Sequence, residues 1–231
     1  MTEYIQVHQE GQINWITIDD GKANAVTHEI ILGIQEKLKE SANSEACRGV
    51  VITGRKKFLS AGFDLKSMQK GDRYATDLVE AGGRLLLQLY EFPKPMVIGA
   101  TGHAMAMGAI LLFAADYSIG ITGNYKIGLN ESAIGLALPW IAVHLAKEKL
   151  SRKFIDRVVA GAEIFSPEQA LEVGFYDKLV TEDSLKGSLE NEIIRLSQLD
   201  PAAFMENKKR IRADVIRRLT DHLEQNGGFW A

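Results

Sequence analysis

The sequence predicts an α/β fold, with a mainly parallel sheet covered by helices and a helical C-terminal part. Three observations carry this. Residues 49–53 and 96–101 are short, largely apolar runs, as in strands buried on both faces, and residues 116–122 read as another strand. Helix-forming stretches separate them, and strand–helix–strand alternation implies crossovers between parallel strands. From about Pro139 onward, helix signals dominate.

Each element follows from local chemistry. Residues 4–9 and 13–19 read as a hairpin turning at Glu10-Gly11. Thr27 is placed to cap a helix whose Ile30, Ile31, Ile34 and Leu38 form one apolar face. A loop with a small-residue turn follows the 49–53 strand. Next comes a helix over about 74–90, stopped by Pro93 and Pro95. The 96–101 strand leads to a second small-residue turn and a helix ending near Ala115. Pro139 suits a first helical position and Ser151 a cap. Ser166-Pro167-Glu168-Gln169 is a capping box, with Gly174 placed to close its helix. Residues 177–180 are a strand candidate, and 183–196 and 201–223 are the last helices.

Bulk properties narrow the function. A chain of 231 residues with 46% hydrophobic content can bury a full core. A net charge of −3 offers no broad basic footprint for nucleic acid or an anionic membrane. The single Cys47 excludes an intrachain disulfide, and no histidines pair at ligand spacing, so no metal site is indicated. No secretory pattern opens the chain and no apolar run would span a bilayer, so the expectation is a cytoplasmic protein.

The chemistry concentrates in the two turns. Phe58-Leu59-Ser60-Ala61-Gly62-Phe63-Asp64-Leu65-Lys66 and Gly102-His103-Ala104-Met105-Ala106-Met107-Gly108 each follow an apolar strand and precede a helix. Backbone N–H groups at such helix starts bind negative charge, and two turns facing each other would form an oxyanion hole. A single turn of this kind more often reflects tight packing. Asp64 reads as a cap for the helix after it and Asp116 as structural. His103 reads as locally bonded. Ser60 lacks the G-x-S-x-G elbow of a hydrolase nucleophile, and Ala81-Gly82-Gly83-Arg84 lies inside a helical pattern. Arg55, Lys56 and Lys57 form a small basic cluster of the kind that is usually solvated.

The whole chain resembles the crotonase superfamily, the enoyl-CoA hydratase/isomerase family. The likeness rests on ordered blocks. They are Gly21-Lys22-Ala23-Asn24-Ala25, Ser60-Ala61-Gly62-Phe63-Asp64-Leu65, residues 102–116, residues 127–136, Ser166-Pro167-Glu168-Gln169-Ala170 and Gly174-Phe175-Tyr176-Asp177. The resemblance implies a spiral of ββα units over residues 1–190. It further implies a C-terminal helical region over 191–231 that mediates a homotrimer or a dimer of trimers. The substrate would be an acyl-CoA thioester, with coenzyme A as part of the substrate and no further cofactor. The N–H groups of Phe63 and Met107 would be the oxyanion donors, with Met107 standing where relatives usually have Gly. If that position needs positive φ, a Met there is strained. In that case a catalytically weak acyl-CoA-binding paralogue is the alternative.

The resemblance also separates reactions. Hydratases of the family use two glutamates, and this chain has Ile110 at the first position and Glu131 at the second. A hydrocarbon cannot orient water or move a proton. One carboxylate suffices to shift a double bond, and Ile127-Gly128-Leu129-Asn130-Glu131 with Ile110 looks like the monofunctional 3,2-enoyl-CoA isomerases. An apolar wall including Ile110 and Leu136 would raise the Glu131 pKa. A hydratase recruiting another polar group is the nearest alternative, and a second carboxylate near Glu131 would favour it. Lys22, Ala23, Ser60, Ala61 and Gly62 are implied on the CoA side, Ser60 and Ala61 through main-chain groups. Relatives usually close over CoA with a terminal lysine and aromatic, whereas this sequence ends Gly227-Gly228-Phe229-Trp230-Ala231.

Overall fold

The computed structural model describes residues 4–69, 71–226 and 228–229. A six-stranded sheet forms its centre, in the order β1 (Ile5–Glu10), β2 (Ile13–Ile18), β3 (Gly49–Gly54), β5 (Met96–Ala100), β7 (Tyr117–Ile121), β10 (Lys178–Val180). β1 and β2 pair antiparallel as a hairpin, and the remaining neighbours are parallel. Parallel strands need crossovers, which the helices supply.

Alternation along the strands builds two cores. Ile16, Ile18, Val50, Ile52 and Ile98 belong to a large cluster with α1 (His28–Asn43), α3 (Asp72–Tyr90) and α4 (Met107–Ala114). Trp15, Val51, Val97 and Ile119 point the other way. There they meet Leu185, Leu189, Ile193 and Leu196 of α8 (Leu185–Ser197), which runs unbroken across 190/191. Thr27 caps α1 and Ser166 closes both halves of the capping box on α7 (Pro167–Val173), as the sequence predicts.

A second, four-stranded sheet is the main departure from the sequence-based elements. β4 (Lys57–Ser60), β6 (Gly102–Met105), β8 (Ile127–Gly128) and β9 (Ile164–Phe165) pair in that order, the first three parallel. β4 and β6 occupy segments expected to be turns. Each is only four residues long, and pairing between distant segments supplies what local propensity does not. Smaller corrections concern helix starts. Pro139 is the N-cap of α5 (Trp140–Lys149), not its first residue. Ser151 precedes a 3₁₀ turn that leads into α6 (Ile155–Val159). The short α2 (Leu65–Met68) comes before α3, capped by Asp64 as expected.

The C-terminal α9 (Pro201–Asn226) is tied to the core by charge. Asp116 accepts from Lys208 Nζ (2.7 Å), Arg212 Nη2 (2.9 Å) and the Met96 N–H (2.8 Å), all nearly enclosed. Beyond α9, Phe229 is fully buried. Its N–H donates to Glu80 Oε1 (2.6 Å) and its carbonyl accepts from the Trp140 N–H (3.0 Å). Gly227, Trp230 and Ala231, named above for the terminal segment, lie outside the described residues. Among the described residues, no helix is long and apolar enough to cross a membrane.

Candidate active site

The site lies where three parallel strands of the second sheet end. β4, β6 and β8 stop at Ser60, Met105 and Gly128, and Phe63, Met107 and Glu131 follow each within two or three residues. The carboxyl ends of parallel strands are where α/β folds place ligands, because the chain turns there and exposes unpaired backbone groups. No single turn would make a site. The pairing of the strands does.

Buried hydrogen bonds shape the first turn. Asn24, fully buried with φ 53, donates to the carbonyls of Ile18, Phe58 and Leu59. Ser60 Oγ donates to Asn24 O (2.6 Å) and accepts from the Gly62 N–H (3.1 Å). The Gly62 carbonyl accepts from Val26 N–H and the Val26 carbonyl from Asp64 N–H, which brackets Phe63 between two fixed neighbours. Gly62 sits at φ 97, and a methyl group there would lie 2.7 Å from Ala106 Cβ and 3.7 Å from Met107 N. The two turns are therefore packed backbone to backbone.

The second turn places its strain one residue before the expected position. Ala106 has φ 50 and ψ −125, while Met107 is the first residue of α4. Met107 thus has ordinary helical geometry, and the objection raised by a side chain at this position does not apply. Among the described residues, neither the Phe63 nor the Met107 N–H has a backbone or side-chain acceptor. At a helix start that leaves a donor for an incoming oxygen. The Ala106 N–H donates to Gly128 O (2.9 Å), which ties this turn to the end of the strand that leads to Glu131.

Glu131 begins a 3₁₀ turn over Ser132–Ile134, and its own carbonyl accepts from the Ile134 and Leu136 N–H groups. Its side chain enters a cavity of ≈ 70 Å³ lined by apolar residues, among them Ala61, Phe63, Val79, Leu136 and Pro139. Glu131 Oε2 is buried without a hydrogen-bond partner. Burial raises its pKa to about 7, against a smaller lowering by a hydrogen bond from its own backbone. Among the described residues lining the cavity, Glu131 is the one carboxylate and Asn130 the one other polar side chain.

Several expected site residues fall elsewhere. Leu136 lines the cavity with Glu131, but Ile110 is buried in the core within α4 and is not part of the wall. Its apolar character keeps a carboxylate out of α4 without touching the cavity. Ala61 and Phe63 reach the cavity. Ser60 is fully buried and its hydroxyl is spent on the turn, so its side chain meets no ligand. Gly62 contributes shape. Lys22 is exposed, its carbonyl accepting from Arg55 Nη1 (2.6 Å), and the Ala23 carbonyl accepts from the Ala61 N–H. The basic cluster is largely paired: Arg55 lies 3.0 Å from Asp19, at an angle that makes no hydrogen bond, and Lys56 lies 3.2 Å from Glu182. His103 Nδ1 accepts from the Lys126 N–H (2.9 Å), as local bonding predicts. No group of three metal-ligating side chains occurs among the described residues.

Sequence reasoning missed Asn24 as the anchor of the first turn. Its place in the Lys22-Ala23-Asn24 block was visible, but its contacts to β4 are not local. The model of the enoyl-CoA hydratase/isomerase family matches residues 8–230. The chain belongs to that family. A solved enoyl-CoA hydratase/isomerase family protein from Pseudomonas syringae is 32% identical, with TM-score 0.93 and 97% of both chains covered. A Mycobacterium tuberculosis protein, called an enoyl-CoA isomerase in one solved structure and a probable enoyl-CoA hydratase in another, is 31% and 30% identical, with TM-scores 0.89 and 0.90, covering 98% and 96% of this chain and 100% and 94% of those chains. The carnitinyl-CoA dehydratase of Salmonella paratyphi A is 27% identical over 214 residues, 92% of this chain and 82% of the relative. The crotonase-type fold and an enoyl-CoA hydratase/isomerase type of activity follow from this membership.

Proposed function

We propose that this member of the family is a 3,2-enoyl-CoA isomerase working through one base. The observation that carries this is Glu131 Oε2, buried and unpartnered in an apolar cavity with no second carboxylate among the described lining residues. The thioester oxygen of a 3-enoyl-CoA would accept from the Phe63 and Met107 N–H groups. Glu131 would take the C2 proton, leaving a dienolate whose charge rests on that oxygen. The protonated Glu131 then returns the proton to C4, and the double bond ends between C2 and C3. No water is consumed, so a single carboxyl group balances the reaction. A pKa near 7 suits both halves, because the group must accept a proton and then release it. The rate should rise with pH through about 7 as the base ionises.

A second reading is hydration or dehydration. The likeness to carnitinyl-CoA dehydratases favours it, as does Asn130, which lines the cavity and could hold a water. One experiment separates the two. Conversion of 3-hexenoyl-CoA is followed for the protein and its Glu131→Gln variant, with crotonyl-CoA hydration run alongside. Isomerisation that drops about 10²–10⁴-fold in the variant, the usual worth of a positioned acid–base group, supports the single base. Hydration that outpaces isomerisation overturns it.

A further inference from the structure

The cavity beside Glu131 is small and closes against a side chain. At ≈ 70 Å³ it is well below the several hundred Å³ of a site that encloses a drug-sized ligand. Phe63 forms part of its wall, and the ring reaches on to α3. A methyl group built on Gly82 would lie 2.5 Å from Phe63 Cζ and 2.8 Å from Cε1. The tip of the ring therefore sits in a seat that only glycine leaves open. Val79, three residues earlier on the same helix face, lines the cavity next to it. Ring and helix shut the cavity on this side. Leu65 and Ile134 also line it and are themselves 54% and 49% exposed. An alkyl tail leaving across them would stay largely in water and gain little from further length.

We propose that the Phe63 ring, seated on Gly82, sets the acyl-chain length and makes the protein selective for short thioesters. This rests on the cavity receiving the acyl group of a CoA thioester, and it adds to the Phe63 N–H a separate role for its side chain.

The test is calorimetric titration of the full chain with butanoyl-, hexanoyl-, octanoyl- and decanoyl-CoA. Affinity should rise about fourfold per methylene while the chain is being buried, then level off before decanoyl-CoA. Phe63→Ala should move the plateau to longer chains, and Phe63→Leu should move it less. Gly82→Ala, which pushes the ring off α3 and into the cavity, should move it toward butanoyl-CoA. Thermal unfolding of each variant checks that it is folded. Affinity still climbing through decanoyl-CoA in the unaltered protein, a plateau that no folded variant shifts, or no binding of any thioester would each overturn the proposal. Saturated thioesters have no double bond to move, so the outcome is independent of the Glu131 chemistry. A plateau that shifts as described, in a protein that does not isomerise, would sink the isomerase reading alone.

Discussion

Glu131 and Asp116 are both enclosed carboxylates, and the fold treats them in opposite ways. Asp116 receives Lys208, Arg212 and the Met96 N–H, which satisfy its oxygens and stitch α9 to the sheet. Glu131 receives no donor at its buried Oε2 beside an apolar wall. The neighbours differ in kind as well. Burial pushes the Lys208 ammonium down to about 8 despite the Asp116 charge, so even the paired site carries a desolvation cost. A carboxylate surrounded by donors ties the elements that carry them together. One deprived of them has its pKa pushed up by burial, as Glu131 does. Under the proposed mechanism, function would show as a missing partner, not as an added one.

The contrast breaks most sharply on mutation. Glu131→Gln should remove isomerisation by the 10²–10⁴-fold stated above while the protein stays folded. Asp116→Ala should do the reverse, because it leaves Lys208 and Arg212 buried without their counter-charge. The cost is about 3–5 kcal/mol of stability, read from urea unfolding. If Asp116→Ala unfolds at the same urea midpoint as the parent, the pairing is not what anchors α9. A smaller effect separates positioning from contact. Ser60→Ala removes the bonds to Asn24 O and the Gly62 N–H, and should cost about 1–3 kcal/mol through the acceptor and donor left unmet. If the turn aims the Phe63 N–H at the thioester oxygen, kcat on 3-hexenoyl-CoA should fall more than KM rises. A change confined to KM would place Ser60 in binding instead.

How far the sequence could be read follows the same division. Elements fixed by nearby residues were legible: the Thr27 cap, the Ser166–Gln169 box, and the apolar runs of β3, β5 and β7. The small-residue segments pointed to the two turns, and the family resemblance pointed to Glu131. The second sheet was not legible, because β4, β6 and β8 are two to four residues long and pair across the chain. Nor was the placement of Ile110, since a helix position gives the residue type but not which side of α4 faces the cavity. Ala106 hid the strain for a related reason. A positive φ is announced by glycine, and here an alanine is held there by the contacts around it.

The smallest expected effect tests the comparison from the stability side. An acid whose pKa is raised on folding binds its proton more tightly in the native state, so its ionisation opposes folding. Below about 4.5 both states are protonated and Glu131 contributes nothing. Between 4.5 and about 7 the unfolded chain releases the proton first, and the native state loses ground until it too ionises. The full shift corresponds to about 3 kcal/mol, which partial solvent access at the cavity reduces to about 1–2 kcal/mol. Glu131→Gln should therefore stabilise the protein by that amount at pH 8, and the gain should vanish near pH 4. Asp116→Asn should show no such gain at pH 8, because Asp116 already has its cations. Paired urea titrations of the two variants at both pH values decide it. A Gln variant no more stable at pH 8 than at pH 4 would mean that Glu131 is better solvated than its buried Oε2 indicates, and the case for a poised single base would lose its physical footing.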